Sequence, residues 1–470
     1  MKATLLHSAT IITASKEAVG SVIVADGIIK DIIYLSGDDY EDRIQDSLSS
    51  YDDVETIELE GKYLMAGGID AHVHFRDPGL THKADISTES KAAAAGGITS
   101  VIDMPNTSPA TISADALKNK CESVQNRSVV NIGFHIGATN SNTEEIRSLL
   151  DGDTEVPVGN VGGVKVFMGS STGNMLVDNG SSLEDLFRIQ DRPVLVHCED
   201  EAIIKANIQE YTERYGEDIP FEEHENIRSR RACIKSSIKA LEMAIKNNTK
   251  LVLCHISTKE ELEMVRAAKS SNPDIVAETS CNYLWFSNEA YSRLGSKAKC
   301  NPSIKTVNDR AALREALANG MIDTIGSDHA PHLLSEKEAK YPKAPSGLPT
   351  IQQSLPVLLT IASQEDIPLT RIAAVFSENA ADIYGLKRGK VKYGYAADLV
   401  VFDKRKEFVV CNEDQYSKCG WTPYNGETLK GQIEMVFVNG KQVVSDGRIC
   451  ENINSETPCG KLLRFNEQSR

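Results

Sequence analysis

Gly67-Gly-Ile-Asp-Ala-His-Val-His-Phe-Arg-Asp-Pro-Gly79 opens on two glycines, runs apolar through His74 and breaks at Asp77-Pro-Gly. The same rhythm, an apolar run followed by a stretch rich in Ala, Glu and Lys, returns seven times: at 100–104, 129–136, 163–168, 193–197, 250–255, 275–279 and 323–328. Apolar runs of this length are strands covered on both faces, and the helical stretches between them supply the cover. Eight such units in succession predict an α/β protein with a (β/α)8 TIM-type barrel.

Outside this core the pattern is different. Upstream, Ala9-Thr-Ile-Ile-Thr, Gly20-Ser-Val-Ile-Val and Ile28-Ile-Lys-Asp-Ile-Ile-Tyr are short β runs divided by Gly and Asp turns. The segment 36–53, acidic and rich in serine, reads as a solvated loop. Downstream, Ala397-Asp-Leu-Val-Val-Phe-Asp and Met435-Val-Phe-Val-Asn-Gly-Lys-Gln-Val-Val carry strand and hairpin signals. The reading is a barrel over 67–386 and a small β-sandwich built from both chain ends, 1–66 and 387–470.

The 470 residues, 41% hydrophobic and 25% charged, suit one large catalytic core with a smaller appendage. A formal charge of −16 disfavours nucleic acid, which is held by clustered Lys and Arg, but leaves a small anionic substrate open. The start, Met1-Lys-Ala-Thr-Leu-Leu-His, has no apolar run after its charge, and no stretch approaches the ~20 apolar residues of a spanning helix. A cytoplasmic protein without a membrane partner is expected, and a homodimer is the base-rate assembly. Ten cysteines without a CxxC pair read as reduced, mostly buried thiols.

The chemistry lies at the strand ends. His72 and His74 are two apart, so strand alternation turns both to one face. His197, His255 and Asp328 end three further strands, at the edge where barrel enzymes keep their active sites. Imidazoles and a carboxylate converging there make a metal site. Lys165 stands inside the apolar run Val164-Lys-Val-Phe-Met, where a bare ammonium is costly. A lysine desolvated among cations loses its proton more easily, and the neutral amine can add carbon dioxide to become a carbamate that bridges two metals. Two cations so bridged, roughly 3.5–4 Å apart, would acidify the water between them to hydroxide. Asp328 could then ligate a metal and shuttle the proton between that nucleophile and the leaving nitrogen.

The run 67–79, together with Ala92-Ala-Ala-Ala-Gly-Gly-Ile-Thr-Ser-Val-Ile-Asp-Met-Pro-Asn-Thr and Gly326-Ser-Asp-His-Ala-Pro-His, resembles the amidohydrolase superfamily and, more narrowly, its dihydroorotase branch. That resemblance implies a binuclear zinc centre held by His72, His74, carboxylated Lys165, His197, His255 and Asp328. It also implies that Arg76 and Asn106 grip a substrate carboxylate, that His332 adds a contact, and that Asn301 lines the pocket. A guanidinium fork does match a carboxylate bidentately. The implied reaction is reversible closure of N-carbamoyl-L-aspartate to L-dihydroorotate in pyrimidine synthesis. Allantoinases and hydantoinase-type dihydropyrimidinases share the metal ligands, and their rings need no Arg at position 76. A silent homologue kept as an assembly subunit should have lost ligands, and all six are retained. The Gly-rich stretch Met168-Gly-Ser-Ser-Thr-Gly-Asn-Met is a candidate lid.

Overall fold

The computed structural model describes residues 2–169, 175–451, 453 and 459–466. The chain begins with β1 (Lys2–Ile12), β2 (Glu17–Ala25), β3 (Ile28–Tyr34), β4 (Asp53–Glu58) and β5 (Tyr63–Ala66). Eight strands follow: β6 (Gly68–Val73), β7 (Ile98–Asp103), β8 (Asn131–Gly137), β9 (Val161–Phe167), β10 (Val194–His197), β11 (Leu251–Leu253), β12 (Ile275–Thr279) and β13 (Thr324–Ile325). Each of the eight predicted runs contains a strand, and every residue of those strands is buried. They pair in parallel in sequence order from β6 to β13. The ring is nearly closed by a parallel bridge between Val73 and His329, with the His74 N–H donating to the His329 carbonyl at 2.8 Å.

Local chemistry fixes the outer helices. Ile86–Ala95 starts in a capping box in which the Asp85 side chain accepts from the Thr88 N–H. Thr258 and Thr306 cap Lys259–Lys269 and Val307–Asn319 in the same manner. Pairs like these satisfy backbone donors that a helix start would otherwise leave bare.

The final strands are β14 (Leu399–Val409), β15 (Thr428–Val438), β16 (Lys441–Ser445) and β17 (Arg448–Ile449). They join the first five in one nine-stranded mixed sheet, with β14 pairing antiparallel to β5. The two chain ends therefore fold together. One face of this sheet buries Leu6, Ile11, Val22, Leu64, Leu399 and Val401. Val400, Phe402 and Ile433 belong instead to the large core shared with the barrel.

One expectation fails. Within 36–53 the segment Tyr40–Leu48 is an α-helix that buries Tyr40, Ile44 and Leu48 against Ala3, Leu5, Ile23 and Ile33. Its charges dominate the composition, but the apolar residues recur every fourth position and make a narrow buried stripe. The candidate lid falls largely on 170–174, outside the described residues. Past the terminal sheet, residues 459–466 return to the barrel, where Leu462 bridges Ile132 in parallel and Leu463 and Phe465 pack on Ile69, Ala71 and Ile102.

Candidate active site

Six ligand candidates from five strands and their exits converge on one cavity of about 330 Å³ at the carboxyl end of the barrel. His72 lies within β6, Lys165 within β9 and His197 ends β10. His74, His255 and Asp328 stand just beyond β6, β11 and β13. Arg76, His255 and Asp328 have positive φ values of 63°, 39° and 48°. Non-glycine residues adopt that region at a cost, and such costs concentrate where function fixes a side chain.

The imidazoles are oriented from behind. His72 Nδ1 lies 2.6 Å from Glu278 Oε1, and His74 Nδ1 lies 2.8 Å from Asn106 Oδ1. His197 Nε2 lies 2.9 Å from Glu199 Oε2, and Glu199 is itself paired with Arg228. An oxygen acceptor behind each of these three rings takes its N–H and leaves the opposite nitrogen as a lone-pair donor facing inward; His255 Nδ1 is buried with no partner among the described residues. Inward, His74 Nε2 lies 3.1 Å and His72 Nε2 3.6 Å from Asp328 Oδ1, while His197 Nδ1 and His255 Nε2 are 2.9 Å apart.

Burial, with Lys165 next, pushes His72 well below the usual imidazole range; burial, His197 and His72 do the same to His255. Burial opposes ionisation of Asp328, but the His74 hydrogen bond and the charges of His72 and His74 outweigh it and hold the carboxyl below its ordinary range. Burial pushes Glu278 up to about 7. Burial thus favours the neutral form at His72 and His255, while the neighbouring rings favour the carboxylate form of Asp328.

That donor set fits divalent cations. Ligand atoms of His72, His74 and Asp328 all lie within 4.8 Å of one another. Imidazole nitrogens and carboxylate oxygens suit zinc and its neighbours. The Lys165 ammonium, 1% exposed, donates to Cys254 Sγ at 3.3 Å and has no carboxylate partner among the described residues.

Arg76 and Asn106 line the cavity, as does Asn301, whose buried Oδ1 has no hydrogen-bond partner among the described residues. His332 stands behind Arg76, with its Nε2 3.1 Å from Arg76 Nη2. The sequence reading missed Glu278, Glu199 and Arg228. Glu278 was detectable as the one charge in the run 275–279, and Glu199 as the carboxylate two residues after His197. Arg228, on a distant segment, carries no local signal.

An amidohydrolase family model matches residues 63–443, and the chain belongs to that family. Among named relatives, it is 33% identical to the dihydroorotase of Methanosarcina mazei over 87% of this chain and 88% of that one. It is 30% identical to the allantoinase of Desulfitobacterium hafniense over 95% of this chain and 97% of the other. Among solved structures, the L-hydantoinase (dihydropyrimidinase) of Arthrobacter aurescens superposes with a TM-score of 0.87 at 26% identity, covering 95% of this chain and 97% of that one. Membership supports hydrolysis of a cyclic amide as the activity. Among the described residues, no helix is long and apolar enough to cross a membrane.

Proposed function

We propose that this chain is a dihydroorotase that interconverts N-carbamoyl-L-aspartate and L-dihydroorotate. One observation carries the choice of substrate. The Arg76 guanidinium is 3% exposed, lines the cavity, and forms no ion pair with a carboxylate among the described residues. Its Nε donates to the Pro331 carbonyl at 3.2 Å, and the carboxylates that act on its charge, Asp328 first, stand beyond ion-pair distance. A buried guanidinium in that state is completed by an anion, and a planar carboxylate matches its fork. Dihydroorotate brings one; dihydrouracil, hydantoin and allantoin do not.

His72, His74, His197, His255, Asp328 and a carboxylated Lys165 would hold two divalent ions, zinc first among them. When bound, these would lend Lewis acidity to the amide carbonyl and to the attacking water. Arg76 fixes the substrate carboxylate and so aims the ring amide at Asp328. Asn301, with its unpaired Oδ1, is placed to accept a ring N–H. Asp328, ionised at neutral pH, takes a proton from the incoming water and returns it to the departing ring nitrogen; in ring closure it runs the same transfer backwards. Glu278, Asn106 and Glu199 keep the imidazole tautomers fixed throughout. The barrel 67–386 carries this chemistry and the terminal parts, 1–66 and 387–470, support it. A cytoplasmic homodimer completes the reading, on the lack of an apolar run of spanning length in the sequence and the prevalence of dimers.

An allantoinase or hydantoinase is the second reading, favoured by the greater coverage of the allantoinase match. Ring opening of L-dihydroorotate by zinc-loaded protein, run beside dihydrouracil, hydantoin and allantoin, separates the two. Preference for dihydroorotate is expected; preferential turnover of an uncarboxylated ring would overturn the substrate.

A further inference from the structure

Residues 341–347 cross the cavity as a strap without helix or strand and contribute much of its wall. Pro342 and Pro345 have no N–H to give, and the strap's carbonyls point back into the protein, where water is scarce. Two buried lysines meet them. Lys299 Nζ donates to the Pro342 carbonyl at 2.8 Å and to that of Ala344 at 2.5 Å. Lys337 Nζ donates to Pro345 at 2.8 Å and Gly347 at 3.2 Å, and also to the Lys299 carbonyl at 3.3 Å. Between them the two ammoniums satisfy four strap carbonyls.

Neither lysine forms an ion pair with a carboxylate among the described residues, although they are 6% and 1% exposed. Burial and then Arg228 pull Lys299 down to about 7, while burial and then Lys299 do the same to Lys337. Two buried lysine Nζ donors without a carboxylate partner are an expensive staple for a loop with no task. The strap does have a point of contact with the site. The Ser346 carbonyl lies 3.1 Å from His332 Nε2, and Lys83 donates to His332 Nδ1 at 3.1 Å, which leaves the ring proton on Nε2 facing Ser346. With its proton turned to Ser346, Nε2 cannot accept from Arg76, so the 3.1 Å approach of Arg76 Nη2 to it is a packing contact that walls one side of the guanidinium.

We propose that Lys299 and Lys337 are positioning residues: they fix the 341–347 strap and, through Ser346 and His332, the guanidinium of Arg76, so that they set the affinity for a carboxylated ring. The inference rests on Arg76 as the carboxylate-binding group. Substrate would then feel Lys337 without touching it, since Lys337 does not line the cavity.

The test is a double-mutant cycle of Lys337→Met and Arg76→Ala, measuring kcat and KM for L-dihydroorotate. Lys337→Met should raise KM about tenfold with kcat within about threefold of wild type, and should add little to the defect of Arg76→Ala, because coupled residues are not additive. An unchanged KM, a fall confined to kcat, or the full increment again on top of Arg76→Ala would overturn the proposal. Should Lys337→Met fail to fold, Lys337→Gln, which keeps a donor for part of the strap, enters the same cycle. The wild-type substrate panel alone decides the substrate. If it selects an uncarboxylated ring, the proposal is overturned together with that reading, whereas selection of dihydroorotate with a failed cycle overturns the proposal alone.

Discussion

Arg76 holds φ at 63° while buried, a combination that costs a non-glycine residue about 1–3 kcal/mol. The turn is the price of bringing the guanidinium back over the His72 and His74 strand exit. Arg76→Ala should therefore raise KM for the carboxylated substrate about 10- to 100-fold, the scale of one lost charge-assisted bond. Its metal content, measured by elemental analysis, should stay near that of the wild type; loss of metal would mean that Arg76 supports the ligands instead. Residue types and spacing made the ligand set readable, because His-x-His and a strand-end Asp need no partner to be noticed. Partners were less readable. Glu278 meets His72 across 206 residues and Arg228 reaches Glu199 across 29, contacts that only closure of the barrel creates.

Strands β6 to β13 were legible because parallel strands buried on both faces are written as unbroken apolar runs. Their ends were less so, since β11 and β13 shrink to three and two residues, the latter where the ring closes. The turn after β13 shows what that closure demands. A Cβ on Gly326 would stand 2.7 Å from both the Glu278 carboxyl carbon and the His72 Cβ. Gly326→Ala should displace the His72–Glu278 pair and lower kcat at least about tenfold, given the sensitivity of catalysis to small misplacements. Circular dichroism should report an intact fold, and wild-type kcat in this variant would refute the crowding argument. The helix Tyr40–Leu48 was hidden for the opposite reason: only Tyr40, Ile44 and Leu48 of its nine residues face inward, so composition reports the solvated side.

Across the whole molecule the two chain ends serve different parts. Strands β1 to β5 and β14 to β17 form one sheet, while 459–466 leave it to close the barrel floor opposite the site. Phe465 occupies space that glycines keep free, since a Cβ on Gly133 would come within 2.5 Å of its ring. Phe465→Ala should cost about 3–4 kcal/mol by leaving a cavity there, read as a lower denaturation midpoint, while KM for the ring stays unchanged. A midpoint equal to the wild type would show that the floor does not need this ring. The sequence by itself determined the barrel, the joining of the chain ends and the identity of the ligand candidates, because burial periodicity and strand-end chemistry are local properties. Tertiary structure alone decided which groups stand behind His72, His74 and His197, that Arg76 is buried with no carboxylate at ion-pair distance among the described residues, and that two lysines hold the strap. Those facts depend on distances between segments far apart in the chain, and no local pattern of residues encodes them.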